Sequence, residues 1–316
     1  MKILFDTDPG VDDAMALLML ARDPRARLVG ITTVYGNASI DTTTSNALAL
    51  CERFKIDVPV ARGAAKALVR PVAAYPEMVH GRNGMGDVAL APAAARREES
   101  HRAERFIARM ARRHSGDLVL VAVGPLTNIA LALEHDPDIV EHVRAVVVMG
   151  GAFGVNGHAG NVSPVAEANV FNDPHAADQV FSARWPVTIV GLDVTHEVLL
   201  DTAYLDAVGR DGGAEGAFIR DITRGYEEFY NRQTGGGIYS HDASAVACAL
   251  DASPFKLRRG PVRAVTGGIA MGQTIQAMPD SPVPAIDWAG RPQQSVCVDV
   301  DASRLRADFR TCFVGK

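Results

Sequence analysis

The chain has 316 residues, of which 47% are hydrophobic and 22% are charged, so it can form a sizeable core and is not disordered in composition. Its net charge is −5 and its pI is near 6.0, which argues against the basic surface of a nucleic-acid-binding protein. No apolar run reaches the roughly 18–20 residues of a transmembrane helix, and the first residues do not resemble a signal peptide, so we expect a cytoplasmic protein with no membrane partner.

Short apolar runs alternate with helical patterns along the chain. In chain order, the patterns predict a strand at Lys2–Asp6, a helix at Asp12–Arg22, a strand at Arg27–Val34, a helix at Ile40–Phe54, a strand at Val58–Ala61, a helix at Ser100–His114, a strand at Leu118–Val123, a helix at Leu126–Glu134, a strand at Ala145–Met149, a helix at Asp173–Ala183, a strand at Val187–Gly191, helices at Gly213–Gln233 and His241–Leu250, and a strand at Ser295–Val300. The stretch Ala91–Arg97 is predicted to be a surface loop or the start of a helix.

The predicted strands are near-continuous Val, Ile and Leu runs, which are typical of parallel strands buried on both faces. We therefore predict an α/β fold, with an open, mostly parallel sheet flanked by helices. Since no linker or repeat interrupts the pattern, we expect residues 1–316 to form a single domain. In such sheets ligands bind beyond the carboxyl ends of the strands, so polar residues in those places are the candidates for function.

Four carboxylates lie within eight residues where the first predicted strand ends, in the run DTDPGVDD over residues 6–13. One aspartate can be explained as a helix N-cap, and Asp12 and Asp13 fall in the first helical turn, where the helix dipole favours negative charge. Four crowded carboxylates repel one another unless a positive group neutralises them. A hard divalent cation such as Ca²⁺ or Mg²⁺ is the simplest neutraliser, because it prefers oxygen ligands.

This run closely resembles the N-terminal signature of the inosine–uridine-preferring nucleoside hydrolase family. In that family the second aspartate of DxDPGxDD binds calcium and acts as general base, the third contacts the ribose, and the last binds calcium. The resemblance assigns these roles to Asp8, Asp12 and Asp13 and leaves Asp6 to support the loop. It also implies the family's fold, with a Rossmann-like core, and a biological role either in nucleoside salvage or in the breakdown of nicotinamide riboside.

Three further segments match the same family, and two of them, at Asn37 and at the GPLTN segment, follow predicted strands. By resemblance, Asn37 of Tyr35-Gly36-Asn37 binds a ribose hydroxyl, and His80, which opens an HGxxGxG-type loop, lies near the base. The GPLTN segment begins at Gly124, and the family takes a backbone carbonyl at this strand end as a calcium ligand, which we place at Val123. Taken alone, Asn37 is a turn residue, His80 is a loop histidine and the GPLTN segment is a strand–turn–helix junction.

The stretch from Gly160 to Asn169 carries the NxxxxxExN spacing of the family. Asn161, Glu167 and Asn169 match its ribose-binding residues, and their side chains complement hydroxyls that both donate and accept hydrogen bonds. We expect Glu167 and Asn169 to be same-face neighbours on an extended segment. Ala168 stands where some relatives have Phe. The glycines before this segment do not form a phosphate-binding loop, since the GK[ST] ending is missing.

Ser240-His241-Asp242 opens a predicted helix in the last third of the chain. By resemblance, Asp242 is the last calcium ligand and also touches the substrate, and His241 is the acid that protonates the leaving base, a task suited to an ordinary histidine pKa. The bland alternative for Asp242 is an aspartate near a helix start. Tyr226 and Tyr230 share one face of the preceding helix, and either wall the base pocket beside Gln233 or pack in the core.

Together these segments predict a glycosidase that hydrolyses ribonucleosides to ribose and free base, with Ca²⁺ as cofactor. Two alternatives remain open at this point. One is a phosphatase of the haloacid dehalogenase type, which also begins with a strand and Asp-x-Asp, although Pro9 and the Asp12-Asp13 pair are not expected there. The other is a nucleoside-binding protein without activity. By analogy with the family we expect a homodimer or homotetramer.

Overall fold

The structure, a computed structural model, describes residues 1–71, 74–95, 98–278 and 286–314. In these ranges the strands are β1 (Lys2–Thr7), β2 (Arg27–Thr33), β3 (Val60–Arg62), β4 (Leu118–Ala122), β5 (Val143–Met149), β6 (Val187–Val190), β7 (Leu199–Leu200), β8 (Ile238–Tyr239), β9 (Phe255–Gly260), β10 (Val262–Ala264), β11 (Thr274–Gln276) and β12 (Gln294–Val300). The α-helices are α1 (Val11–Arg22), α2 (Ile40–Arg53), α3 (Glu77–His80), α4 (Ala103–Arg113), α5 (Thr127–His135), α6 (Ile139–His142), α7 (Ala168–Asn172), α8 (Pro174–Ser182), α9 (Leu192–Thr195), α10 (Thr202–Asp211), α11 (Gly213–Thr234), α12 (Asp242–Leu250) and α13 (Ala302–Phe313). Short 3₁₀ helices span Val155–Gly157 and Ile286–Trp288.

One eight-stranded sheet organises the fold, with the strand order β3-β2-β1-β4-β5-β6-β12-β9. Neighbouring strands are parallel except for β9, which pairs with β12 in the antiparallel sense at one edge. The predicted α/β fold with a mostly parallel sheet is therefore confirmed. The chain winds outward from β1 to β3 and then returns to β4 on the other side of β1, so the strand order reverses beside β1, where α/β sheets bind ligands.

Helices cover both faces of this sheet, and successive strand residues point to opposite faces. In β1, Leu4 packs in a cluster with Phe106 of α4 and Phe181 of α8. The next residue, Phe5, packs in a second cluster with residues of α1 and α11. Burial on both faces explains why the strands read as unbroken apolar runs. None of the helices in the described residues is long and apolar enough to cross a membrane.

The structure corrects several element predictions. Residues 91–95 form a loop, while Arg96 and Arg97 lie outside the described residues. Edge elements without a strong periodic signal were missed, among them α10, β9 and α13. The expectation that Glu167 and Asn169 are same-face neighbours on one extended segment is wrong, because only Glu167 is extended, and α7 begins at Ala168 and places Asn169 in its first turn.

Candidate active site

A cavity of about 300 Å³ lies at the carboxyl ends of the central strands. Of the thirteen site residues that the sequence predicts, eleven line it: Asp12, Asn37, His80, Val123, Asn161, Glu167, Asn169, Tyr226, Tyr230, His241 and Asp242. The other two, Asp8 and Asp13, are buried beside it and hydrogen-bond to Asn37. The fold therefore brings together residues from position 8 to position 242.

Asp13 organises the turn between β1 and α1. One carboxylate oxygen, Oδ1, accepts hydrogen bonds from the Thr7 hydroxyl at 2.5 Å and from the Asp8 amide at 3.1 Å. The other, Oδ2, accepts from the Gly10 amide at 2.9 Å and the Asn37 side-chain amide at 2.8 Å. Four donors around a buried carboxylate stabilise its charged form, yet burial and the charge of Asp12 still raise the pKa of Asp13 above its usual value.

The Asp8 carboxylate fits between two glycines. A Cβ at Gly36 would lie 2.0 Å from Asp8 Oδ2, and one at Gly124 would lie 2.5 Å from Asp8 Oδ1. Asp8 Oδ2 accepts the Asn37 amide at 2.8 Å, whereas Oδ1 is buried without a hydrogen-bond partner among the described residues. Burial first, and then the charge of Asp13, raise the pKa of Asp8 well above its usual value. A buried oxygen of this kind indicates a missing ligand.

Asp242 reaches the same cluster from the far end of the chain because α12 packs against α1. Carboxylate oxygens of Asp12, Asp13 and Asp242 lie within 4.8 Å of one another. Burial, followed by the charges of Asp12, Asp13 and Asp8, raises the pKa of Asp242 well above its usual value. Burial likewise raises the pKa of Asp12 to about 6.

These residues fit a hard divalent cation. The donors are all oxygens, and the crowded carboxylates need a positive charge. In the described part of the chain, Oδ1 of both Asp8 and Asp12 is buried without a hydrogen-bond partner. The three carboxylates that lie within 4.8 Å of one another include Asp12. The sequence predicted Asp8 as an ion ligand, together with Asp13 and Asp242. The two sets share Asp13 and Asp242.

Beneath the cluster, Asp6 is held in place by Asn128. The Asn128 amide donates to Asp6 Oδ1 at 2.7 Å and to the Thr33 carbonyl at 3.0 Å, and its oxygen accepts the Ala64 amide at 2.8 Å. Asn128 thus joins the ends of β1, β2, β3 and β4. No role was predicted for Asn128, although it lies in the GPLTN segment, in the first turn of the helix that follows β4.

Glu167 is the N-cap of α7, and this capping role explains why the segment continues as a helix and not as an extended strand. Its carboxylate accepts hydrogen bonds from the amides of Asn169 at 2.8 Å, Val170 at 3.1 Å and Gly151 at 2.9 Å. Asn169 then donates to the Val123 carbonyl at 2.8 Å. The side chains of this segment therefore reach the cavity because Glu167 caps a helix and Asn169 lies in its first turn, and not because they alternate along a strand.

His80 lies on the opposite wall, at the end of α3. Its Nδ1 accepts the Val11 amide at 3.3 Å, so the ring presents Nε2–H in its neutral form. Burial lowers the pKa of His80 to about 4. The ring packs against Tyr226, whose centroid lies 5.3 Å away, so a neutral, largely aromatic wall faces the cavity here.

His241 is the centre of a hydrogen-bonded chain. Its Nδ1 pairs with the Thr195 hydroxyl at 2.9 Å and its Nε2 with the Tyr230 hydroxyl at 3.1 Å. Tyr226 in turn donates to Asp12 Oδ2 at 3.2 Å. Burial, and then the nearby His196, lower the pKa of His241 well below its usual value. The premise of an ordinary histidine pKa is therefore wrong, because the ring is only 4% exposed.

The chain is similar to known proteins along most of its length. A model of the family described as inosine-uridine preferring nucleoside hydrolase matches residues 3–307. Uridine nucleosidase 1 of Arabidopsis thaliana is 38% identical over 276 residues, which cover 87% of this chain and 81% of that protein. The inosine-uridine preferring nucleoside hydrolase of Leishmania major is 39% identical over 277 residues, 87% of either chain. The structure of a plant nucleoside hydrolase, PpNRh1, superposes with a TM-score of 0.92 at 32% identity, covering 100% of this chain and 99% of that one.

Proposed function

Because the chain belongs to the inosine-uridine preferring nucleoside hydrolase family, and is therefore a hydrolase of N-glycosyl compounds, we propose that it cleaves ribonucleosides to ribose and free base with Ca²⁺ and Asp8. The observation that carries this proposal is the buried Oδ1 of Asp8, which no described residue hydrogen-bonds, beside a carboxylate cluster and a cavity lined by Asn161 and Asn169. The phosphatase alternative is not favoured by the family match.

The proposed ion ligands are Asp8, Asp13, Asp242 and the Val123 carbonyl, and Asp12 lies close enough to contribute. Family members depend on a metal, and the all-oxygen donor set suits calcium. When bound, the ion would lower the pKa of a water molecule.

Asp8 is the proposed general base. Its carboxylate is buried beside the cavity, and Oδ1 has no hydrogen-bond partner among the described residues, so this oxygen is available to take a proton from the attacking water. Attack on the anomeric carbon from the face opposite the base passes through an oxocarbenium-like ribosyl group. A single displacement inverts the anomeric configuration, which NMR of the freshly released sugar can detect.

The proposed ribose contacts are Asp12, Asn37, Asn161, Glu167 and Asn169. In this set Asn161 Oδ1 accepts the Ala168 amide at 3.0 Å, which turns its amide nitrogen towards a substrate hydroxyl. Fixed groups of this kind hold the sugar in the reactive orientation and lower the barrier by several kcal/mol.

His241 is proposed to protonate the leaving base, with Tyr230 as its hydrogen-bond partner and Tyr226 and His80 walling the base. The buried ring is neutral before substrate binds. Negative charge that develops on the departing base favours the protonated ring. The ring therefore takes up a proton from solvent once substrate is bound, passes it to a nitrogen of the base as the N-glycosidic bond breaks, and returns to its neutral form.

The test is ribose release from uridine, inosine and cytidine, measured as reducing sugar with and without a calcium chelator. We expect ribose release to depend on Ca²⁺. Its rate should fall by at least about 100-fold in D8N, because this variant lacks the proposed general base. The matched control is D57N, which changes an exposed aspartate outside the cavity. Ribose release that is unaffected by chelation would remove the metal from the proposal, and phosphate release from nucleotides without ribose would favour the phosphatase.

We further propose that the chain forms one domain, acts in the cytoplasm and assembles into a homodimer or homotetramer. Light scattering behind size-exclusion chromatography tests the assembly. A monomer at micromolar concentration would contradict it.

A further inference from the structure

One histidine on the cavity wall has no part in the chemistry above. His196 follows α9 directly and lines the cavity. Its ring nitrogens make no hydrogen bond to a described residue, and neither is among the buried polar atoms that lack a partner, so both remain accessible. The ring therefore offers an unpaired nitrogen to a molecule that fills the cavity.

Neighbouring rings fix the orientation of this imidazole. The Tyr239 ring packs on it in a tilted arrangement, with centroids 4.3 Å apart and an interplanar angle of 30°. His158 packs edge-on at 5.0 Å, and His241 lies at 5.4 Å. A polar group that is already ordered loses little entropy when it binds a ligand.

The position of His196 points to the base rather than the sugar. Its ring lies beside that of His241, the residue proposed to protonate the departing base, with ring centroids 5.4 Å apart. Burial, and then the charge of His158, lower the pKa of His196 to about 4, so the ring is neutral near pH 7. A neutral imidazole carries one donor and one acceptor, which matches the N–H, C=O and ring-nitrogen groups of a nucleobase edge.

Resting on the proposed function, we propose that His196 is a specificity-determining residue that hydrogen-bonds to the polar edge of the nucleobase, beside His241. It replaces water at that edge, so a base with the matching edge binds more tightly than an aromatic group without one.

Pseudouridine is the probe for this contact, because its base is joined to ribose by a carbon–carbon bond that hydrolysis of an N-glycosyl linkage does not break. Calorimetry on the Ca²⁺-loaded protein gives its dissociation constant without any turnover. We expect H196F, which keeps a ring and loses both polar atoms, to weaken binding by about 3- to 10-fold, the effect of one neutral hydrogen bond. H196N or H196Q, which place an amide near one of the ring nitrogens, should restore most of it.

Two controls separate this contact from a structural role. H158A removes one of the rings that order His196 but takes no polar group out of the cavity, so it should weaken pseudouridine binding clearly less than H196F does. For turnover, 4-nitrophenyl riboside keeps the sugar but lacks a nucleobase edge, so H196F should raise KM for uridine and leave kcat/KM for the aryl riboside nearly unchanged. If H196F does not fold, H196L takes its place.

An unchanged dissociation constant for pseudouridine in H196F, no binding to the unmodified protein, or an equal loss on both substrates overturns the inference. Failure of the proposed function gives a different result. If the protein releases no ribose from any nucleoside, and H196F still binds pseudouridine less tightly, the contact with His196 is supported and the proposed hydrolase activity is contradicted.

Discussion

Replacing Gly124 by alanine tests whether the placement of Asp8 controls catalysis. The added Cβ would lie 2.5 Å from Asp8 Oδ1 and 2.9 Å from Val34 Cγ1, and contacts under 3.0 Å are essentially absent around real Cβ atoms. The carboxylate must therefore move by at least about 0.5 Å. Since misplacement of a catalytic group by about 1 Å can cost about 100-fold in rate, we expect kcat/KM for uridine to fall by about 10- to 100-fold.

Steady-state ribose release and Ca²⁺ calorimetry on G124A provide the measurement. The matched control is G267A, because a Cβ at Gly267 meets nothing within 4 Å and its backbone is not left-handed. The fold should survive in both variants, since Gly124 also has a backbone conformation that alanine adopts readily. Retention of the original kcat/KM by G124A, with Ca²⁺ affinity unchanged, would refute the argument that the glycine is required by the carboxylate beside it.

Three further predictions concern stability. N128A should lower the free energy of unfolding by about 2–4 kcal/mol in urea titrations, because three buried hydrogen bonds are lost; N231A, at an exposed helix position, should change it by less than about 0.5 kcal/mol. Ca²⁺ at about 100 times its Kd should stabilise the protein by about 2.7 kcal/mol. D242N should gain little stability from Ca²⁺. In chelator, D242N should be more stable than the unmodified chain, because one of several crowded carboxylates is neutralised. His196 has a lower pKa folded than unfolded, so acidification from about pH 6.5 to about pH 4 should destabilise the unmodified protein more than H196N.

Each of these expectations has a contradicting result. Equal effects of N128A and N231A would mean that Asn128 does not hold the strand ends together. A Ca²⁺-induced rise in the melting temperature of D242N as large as that of the unmodified chain would exclude Asp242 as a ligand. If the stability of the unmodified protein and that of H196N change in parallel with pH, the His196 ring is not desolvated.

The sequence predicted the central part of the fold because parallel strands buried on both faces carry an unmistakable apolar signal. It also predicted which segments meet: Asp8 and Asp242 lie at opposite ends of the chain and reach the same cluster. Peripheral elements such as α10 and β9 were missed, since edge strands and exposed helices carry mixed patterns.

Local geometry at the site was less predictable. Alternating Glu167 and Asn169 resemble a strand, but the Glu167 carboxylate satisfies the free amides at the start of α7 and so stabilises a helix. The lowered pKa of His241 comes from burial by residues distant in sequence, and no local pattern encodes it. The role of Gly124 depends on a side chain 116 positions earlier, so only the folded structure reveals it.

The packing of α12 against α1 has a consequence for how the protein acquires its site. Asp13 and Asp242 are 229 positions apart in the chain, so their encounter closes a very large loop and belongs to the slow, non-local part of folding. A nascent or truncated chain that lacks the last third would contain the acidic turn without its counterpart. High-affinity ion capture should therefore report completion of folding, and its rate should follow the docking of α12 rather than the formation of the sheet.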